Sequence, residues 1–289
     1  MSRNNFKTLV LLAGLGAVFV LVGQLLGGTN GAIIALVIAG LMNGAMYFFS
    51  DKLALRSAGA QPVEERELPN VYSIVRSLAQ RENMPMPKIY LINSPQPNAF
   101  ATGRNPAHAA VAVTSGIMQL MNHQELEGVL AHELSHVRNR DILIATIAAT
   151  IAAALSFLAR MALWGGLGGR RRNDGLTAII GLVSLILAPI GAMVIQMAIS
   201  RAREYQADRS GSEITGSPLA LASALQKLEA GTARIPMQVN PATSQLFIAD
   251  PLKAFGRRGS GGGLMRMFST HPPISERVER LEQMAMGIR

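Results

Sequence analysis

Cysteine is absent from the 289 residues. That excludes disulfides, thiolate metal sites, iron–sulfur clusters and cysteine nucleophiles, so any metal must be held by histidine and carboxylate. Charge is scarce as well: 16% of residues are charged, against about 25% in an ordinary soluble domain. Hydrophobic residues make up 49%, and the mean hydropathy is +0.27. Such a chain is too apolar for intrinsic disorder. Its 27 Lys and Arg exceed its 18 Asp and Glu, but a basic excess marks a nucleic-acid binder only when clustered on a hydrophilic chain. No nucleic-acid partner is expected.

The apolar residues are present in blocks. Residues 8–50 contain no charge, which is room for two spans of about 20 residues. Gly27-Gly28-Thr29-Asn30-Gly31 reads as a tight turn between Thr8–Leu26 and Ala32–Phe49, giving an N-terminal transmembrane hairpin over 1–50. Arg3 and Lys7 precede the first span, but a second span follows rather than a cleavage site, so it reads as an uncleaved anchor. A second apolar pair, Ile142–Ala159 and Leu176–Ile199, predicts an inserted hairpin over 142–200. Pro189 and Gly191 predict a kink in its second arm. The alternative for this pair is a buried helical pair in a soluble core.

Two hairpins return the chain each time to the side holding 1–7, 51–141 and 201–289. That side carries all but four of the 27 basic residues, which places it in the cytoplasm, with the bilayer itself as a partner. Arg170–Arg172, in the glycine-rich loop 165–175, pulls the other way and leaves open a shallow or re-entrant second pair. Segments 51–141 and 201–289 together have the size of one domain. A domain interrupted by a hairpin requires the two ends of the insert to lie close together.

Within that domain, apolar spacing predicts a helix over Glu64–Met84, ended by Pro85 and Pro87. Lys88–Ile92 and Ala109–Thr114 read as strands, and Asn98–Gly103 as a turn-rich stretch. Asn122 and Glu125 have capping-box spacing for a helix running to Arg138. Helices are also predicted over Ser217–Gly231 and Ile274–Met286, with 232–270 loop-like. The fold class is therefore mainly α with a small β-sheet, in an integral membrane protein of four spans.

His132-Glu133-Leu134-Ser135-His136 lies on the capped helix. A spacing of four puts both imidazoles on one face, one turn apart, so they can converge on one ion. Glu133 lies about 100° round the helix, within reach of a water on that ion. Zn²⁺ suits imidazole and carboxylate and keeps a position for water in catalytic sites. A third ligand is available in Glu204, four residues before Asp208, directly after the last apolar block. Asp208 can then hold the far nitrogen of a ligating histidine. The plainer alternatives are two surface histidines flanking a helical glutamate, and a solvated carboxylate pair beside Arg201, Arg203 and Arg209. His108 and His123 read as structural or exposed, His271 is open, and Asp141 reads as a cap or surface group.

With these motifs in view, the chain resembles the HtpX-type membrane zinc metalloproteases, related to the eukaryotic CAAX-processing membrane protease. The resemblance runs through NAFATG at 98–103, AHELSHVRNRD at 131–141, REYQAD at 203–208, NPATSQLFIADPL at 240–252 and THPPISERVERL at 270–281. It implies a gluzincin-like fold holding one Zn²⁺ per chain on His132, His136 and Glu204, with Glu133 as general base and Asp208 behind a ligand. It implies His271 and Arg277 near the site, stabilising the transition state, and Asn98 and Ala99 in the strand lining the substrate cleft. It further implies a protease of the bacterial inner membrane with a cytoplasm-facing site. Such a protease degrades damaged or misfolded membrane proteins and unfolded proteins under stress, alongside other membrane quality-control proteases.

Two other classes compete. A non-catalytic scaffold with a structural zinc would gain little from a base such as Glu133 beside an open position. A transporter needs a polar pathway, which spans almost free of charge do not offer.

Overall fold

The computed structural model describes residues 3–139, 141, 143, 201–240, 243–256 and 272–287. The predicted 142–200 hairpin, the Arg170–Arg172 loop and His271 lie outside the described residues. In chain order the elements are α1 (Arg3–Ser57), β1 (Ala60–Pro62), α2 (Pro69–Arg81), β2 (Lys88–Ile92), β3 (Ala99–Gly103), β4 (Ala109–Thr114), α3 (Ser115–Leu120) and α4 (His123–Arg138). Further along the chain come α5 (Arg201–Thr215), α6 (Pro218–Arg234), α7 (Lys253–Gly256) and α8 (Ile274–Ala285).

α1 is two helical arms joined at Gly27 and Gly28, whose backbones are non-helical. Gly28 has φ 58°, a value that costs glycine nothing and other residues a steric penalty. The chain reverses there, and Gly16 of the first arm packs against Ala39 and Asn43 of the second. The turn is thus shorter than the five residues expected. Among the described residues one stretch, Gly27–Ala45, is long and apolar enough to cross a membrane. Ile34, Leu36 and Leu41 on that arm are well exposed.

The sheet has strand order β1-β2-β4-β3. β2 and β4 are parallel, and the two outer pairs are antiparallel. Side chains alternate between faces. Ile89, Val111 and Val113 meet Val75 and Leu78 of α2 and Val129, Leu130 and Leu134 of α4. Ala110, Ala112 and Phe100 face the foot of α1 at Ala54 and Leu55, together with Phe247, whose ring meets Phe100 edge-on at 4.9 Å. β4 is buried along its whole length, as a strand covered on both faces must be.

Two sequence expectations change. Local pattern marks Asn98–Gly103 only as turn-rich, whereas the family resemblance implies a strand there; Ala99–Gly103 is an edge strand, registered Ala99 with Val113 through Gly103 with Ala109. Phe100 and Thr102 favour a strand while Ala99, Ala101 and Gly103 do not, and β4 supplies the pairing. The helix expected from Glu64 begins at Pro69, at its first position, where proline's fixed φ and missing N–H are harmless.

α4 carries the predicted capping box. Asn122 Oδ1 accepts from Glu125 N–H at 2.9 Å, and Glu125 Oε2 accepts from Asn122 N–H at 3.0 Å. Glu125 is buried and also accepts from Ser223 and Lys227 of α6, so one side chain starts α4 and ties it to its neighbour. Burial pushes Glu125 up, but Lys227, Ser223 and the Asn122 backbone together hold it below its usual range.

Candidate metal centre

α4 is flanked by α5, α6, α2 and strand β3. Its closest approach is to α5 at Gly211, where a β-carbon would stand 2.9 Å from His132 N and 3.1 Å from His132 Cα. Only glycine permits this contact. One turn and two turns before Gly211, α5 presents Asp208 and Glu204 to the histidine face of α4.

His132 and Glu204 are buried and His136 nearly so. His136 Nε2 lies 3.4 Å from Glu204 Oε1, and His132 Nε2 lies 3.8 Å from Glu204 Oε2. One ligand atom from each residue falls within 4.8 Å of the others. Ligands about 2.1 Å from a tetrahedral centre stand about 3.4 Å apart, so the three fit one small divalent cation. The charges agree. Glu133, Asp141, Glu204 and Asp208 are buried with the two imidazoles, and carboxylates gathered at imidazoles suit a bound cation.

The other ring nitrogens are held by carboxylates. His132 Nδ1 lies 2.9 Å from Asp208 Oδ1, and His136 Nδ1 lies 3.3 Å from Asp141 Oδ2. Each contact favours the tautomer with its proton on Nδ1 and a lone pair on Nε2, as a metal ligand requires. Asp141 is therefore no surface cap. It is buried, and its own N–H bonds back to His136 O at 3.1 Å.

Arg277 is fully buried on α8. Its Nε and Nη2 donate to the two oxygens of Asp208 at 2.8 and 2.6 Å, a bidentate pair. Burial alone would raise Asp208; Arg277 overrides it and holds the carboxyl down at about 2. Burial pushes the His132 imidazole down to about 4. At His136 burial acts the same way, but Glu204, with help from Asp141 and Glu133, holds the imidazole up at about 9.

Glu133 is buried, and its Oε2 accepts the backbone N–H of Ala101 on β3 at 2.8 Å. The same strand edge carries Asn98 and Ala99, both with no exposure. Ala99 O accepts from Ile248 N–H at 3.0 Å. The Asn98 amide donates to Ala249 O at 2.8 Å and accepts from Ala249 N–H at 3.3 Å. The chain's own 248–249 segment thus lies against β3 at these two residues.

The structure brings together His132, Glu133, His136, Glu204, Asp208 and Arg277. It adds Asp141, the last residue of the AHELSHVRNRD motif, which reads from sequence as a cap or surface group. His108 and His123 are exposed and bond Asn105 and Asn70, away from the site.

Two imidazoles one turn apart, a carboxylate from a second helix and a glutamate between the imidazoles define a metal-dependent hydrolase. The Peptidase family M48 model matches residues 65–285. A Protease HtpX homolog from Pelotomaculum thermopropionicum is 50% identical over 287 residues, covering 98% of this chain and 100% of that protein. Another, from Thermodesulfovibrio yellowstonii, is 53% identical over 285 residues, covering 98% and 99%. The chain belongs to peptidase family M48 and is a metalloprotease. The crystal structure of S. mikatae Ste24p shares the fold at a TM-score of 0.50 and 19% identity, covering 96% of this chain. The chain spans 64% of the length of that protein.

Proposed function

We propose that this chain is a zinc endopeptidase of the bacterial inner membrane. In this reading the hairpin 1–50 and the segment 142–200 lie in the bilayer, and a catalytic domain of 51–141 with 201–289 faces the cytoplasm. Damaged or misfolded membrane proteins are its substrates. The observation that carries the activity is the meeting of His132, His136 and Glu204, with Glu133 beside them on the same helix. Support for the bilayer comes from the apolar stretch Gly27–Ala45 and the one-sided distribution of basic residues.

His132, His136 and Glu204 would hold the ion, with Asp208 and Asp141 orienting the imidazoles from behind. When bound, Zn²⁺ supplies a Lewis acid for the scissile carbonyl and acidifies the attacking water. Glu133 takes the water's proton and delivers it to the leaving nitrogen. The Ala101 N–H fixes one oxygen of that carboxylate, so the base is oriented by the same strand that walls the cleft. Asn98 and Ala99 shape that wall through their hold on 248–249. Arg277 acts through Asp208: it keeps that carboxylate ionised as the partner of His132 Nδ1, which holds the ring in the orientation a ligand needs. His271 is assigned to oxyanion stabilisation through the family resemblance.

The test is Glu133→Gln. Zinc stoichiometry should stay at the wild-type level while cleavage of casein or of an unfolded membrane protein falls by at least the 10²–10⁴-fold typical of a lost general base. Wild-type cleavage by that variant would remove Glu133 from the mechanism.

A further inference from the structure

The second arm of α1 carries a stripe that the peptidase site does not use. Met42, Phe49, Lys52 and Arg56 follow helical spacing and line one side of a groove of about 790 Å³; Pro62 of β1 and Tyr90 of β2 line the other. This is the size of an ordinary small-molecule site. The stripe changes character along its length. It is apolar up to Phe49 and cationic at Lys52 and Arg56, which lie one turn apart on the same face.

The position of that change matters. The apolar stretch ends at Ala45, and at 1.5 Å per residue Lys52 lies about 10 Å further along the axis. Tyr47, Phe48 and Phe49 fall between, where aromatic belts sit at a membrane surface. A lysine can extend its ammonium back toward that level while its stem packs on apolar surface. Lys52 Nζ lies 5.5 Å from the Phe49 ring, and the Arg104 guanidinium lies 5.5 Å from the Phe48 ring. Among the described residues neither Lys52 nor Arg56 pairs with a carboxylate. Asp51 is the adjacent acid, and its Oδ1 accepts the backbone N–H of Lys52.

We infer that this groove is a binding site for one anionic phospholipid of the cytoplasmic leaflet, its headgroup on Lys52 and Arg56 and an acyl chain along Phe49 and Met42. The inference rests on the proposal that α1 crosses the bilayer. Charge complementarity selects the ligand: two unpaired cations at headgroup height favour a net-negative lipid over a zwitterionic one. Continuity with the apolar arm selects a lipid over a soluble anion. The groove is floored by the sheet whose far edge contacts Glu133, so an occupant would brace the catalytic domain against the membrane.

The experiment uses the full chain. Alkaline carbonate extraction of membranes comes first. The purified protein in mild detergent is then titrated with dioctanoyl-phosphatidylglycerol, dioctanoyl-phosphatidylcholine or inorganic phosphate, and binding is read by native mass spectrometry. The expected result is one retained phosphatidylglycerol, at least tenfold preferred over phosphatidylcholine and not displaced by phosphate. Lys52→Gln and Arg56→Gln should each weaken retention about fivefold, and the pair about thirtyfold. Arg66→Gln with Arg76→Gln, exposed cations elsewhere, should leave it unchanged. Extraction by carbonate would overturn the membrane reading and this inference with it. Resistance to extraction with equal binding of both lipids, with no effect of the Lys52 and Arg56 pair, with phosphate competing, or with a lipid-free dimer covering the groove would overturn the lipid site alone.

Discussion

Asp141 is tied to His136 twice, by its backbone N–H to His136 O at 3.1 Å and by its Oδ2 to His136 Nδ1 at 3.3 Å. The backbone bond folds the chain back just past the end of α4 and so delivers the carboxylate to the ring. Carboxylates in this position set the tautomer and basicity of a metal ligand. Asp141→Ala should therefore weaken zinc binding 10–100-fold, measured by competition with a chromophoric chelator. Asp141→Asn, which keeps the size and one acceptor, should lose less. Wild-type zinc affinity in Asp141→Ala would reduce the residue to a helix terminus.

Arg277 and Asp208 form a buried, bidentate pair that links α8 to α5. Removing one partner strands the other charge, so Arg277→Met should destabilise the fold by about 3–5 kcal/mol. Arg277→Met combined with Asp208→Leu should recover most of that loss while leaving zinc affinity impaired, because His132 loses its partner. Denaturant unfolding in detergent and a zinc titration separate the two effects. If the double variant is no more stable than Arg277→Met, the stranded-charge account fails.

Gly211→Ala has a sign that is easy to read. At an ordinary helix position this change stabilises by up to about 1 kcal/mol. Here the new carbon would press on His132 backbone atoms at 2.9 and 3.1 Å, and overpacking costs about 1–3 kcal/mol. The helices must separate, moving Glu204 and Asp208 away from the imidazoles together. Lower thermal stability and a peptidase rate down by about 10²-fold are expected. A stabilised, fully active variant would show that the contact is not binding on the site.

Glu125 supplies a pH dependence outside the metal site. Its folded pKa lies below the ordinary 4.5, so its stabilisation is complete above that value. It is lost as pH falls from about 4.5 through the lower folded value. Glu125→Gln should cost about 1–2 kcal/mol at pH 7 and progressively less as acid protonates the native side chain. Urea unfolding of both proteins at pH 7 and below pH 4 provides the comparison; a cost independent of pH would assign the loss to packing.

These cases show which parts of the molecule were legible in the sequence. The face of α4 was readable because four-residue spacing fixes where His132 and His136 point, and the Asn122–Glu125 box fixes where the helix begins. Glu204 and Asp208 were readable as a pair for the same reason. β3 was legible through the family resemblance but not from local pattern, because Ala99, Ala101 and Gly103 take strand geometry there through pairing with β4. Asp141 was misread because its role depends on how the chain turns after Asn139, and Arg277 reaches Asp208 only through the packing of α8, α6 and α5.

The short distance between His136 and Glu204 has one more consequence. One lies near the end of α4 and the other near the start of α5, with a long segment of chain between them. An ion gripped by both would close that segment into a loop and lower the entropy of the unfolded chain. In a protein with no cysteine, the metal would serve as the fastening that a disulfide provides elsewhere. Chelation would then loosen the fold as well as stop the chemistry.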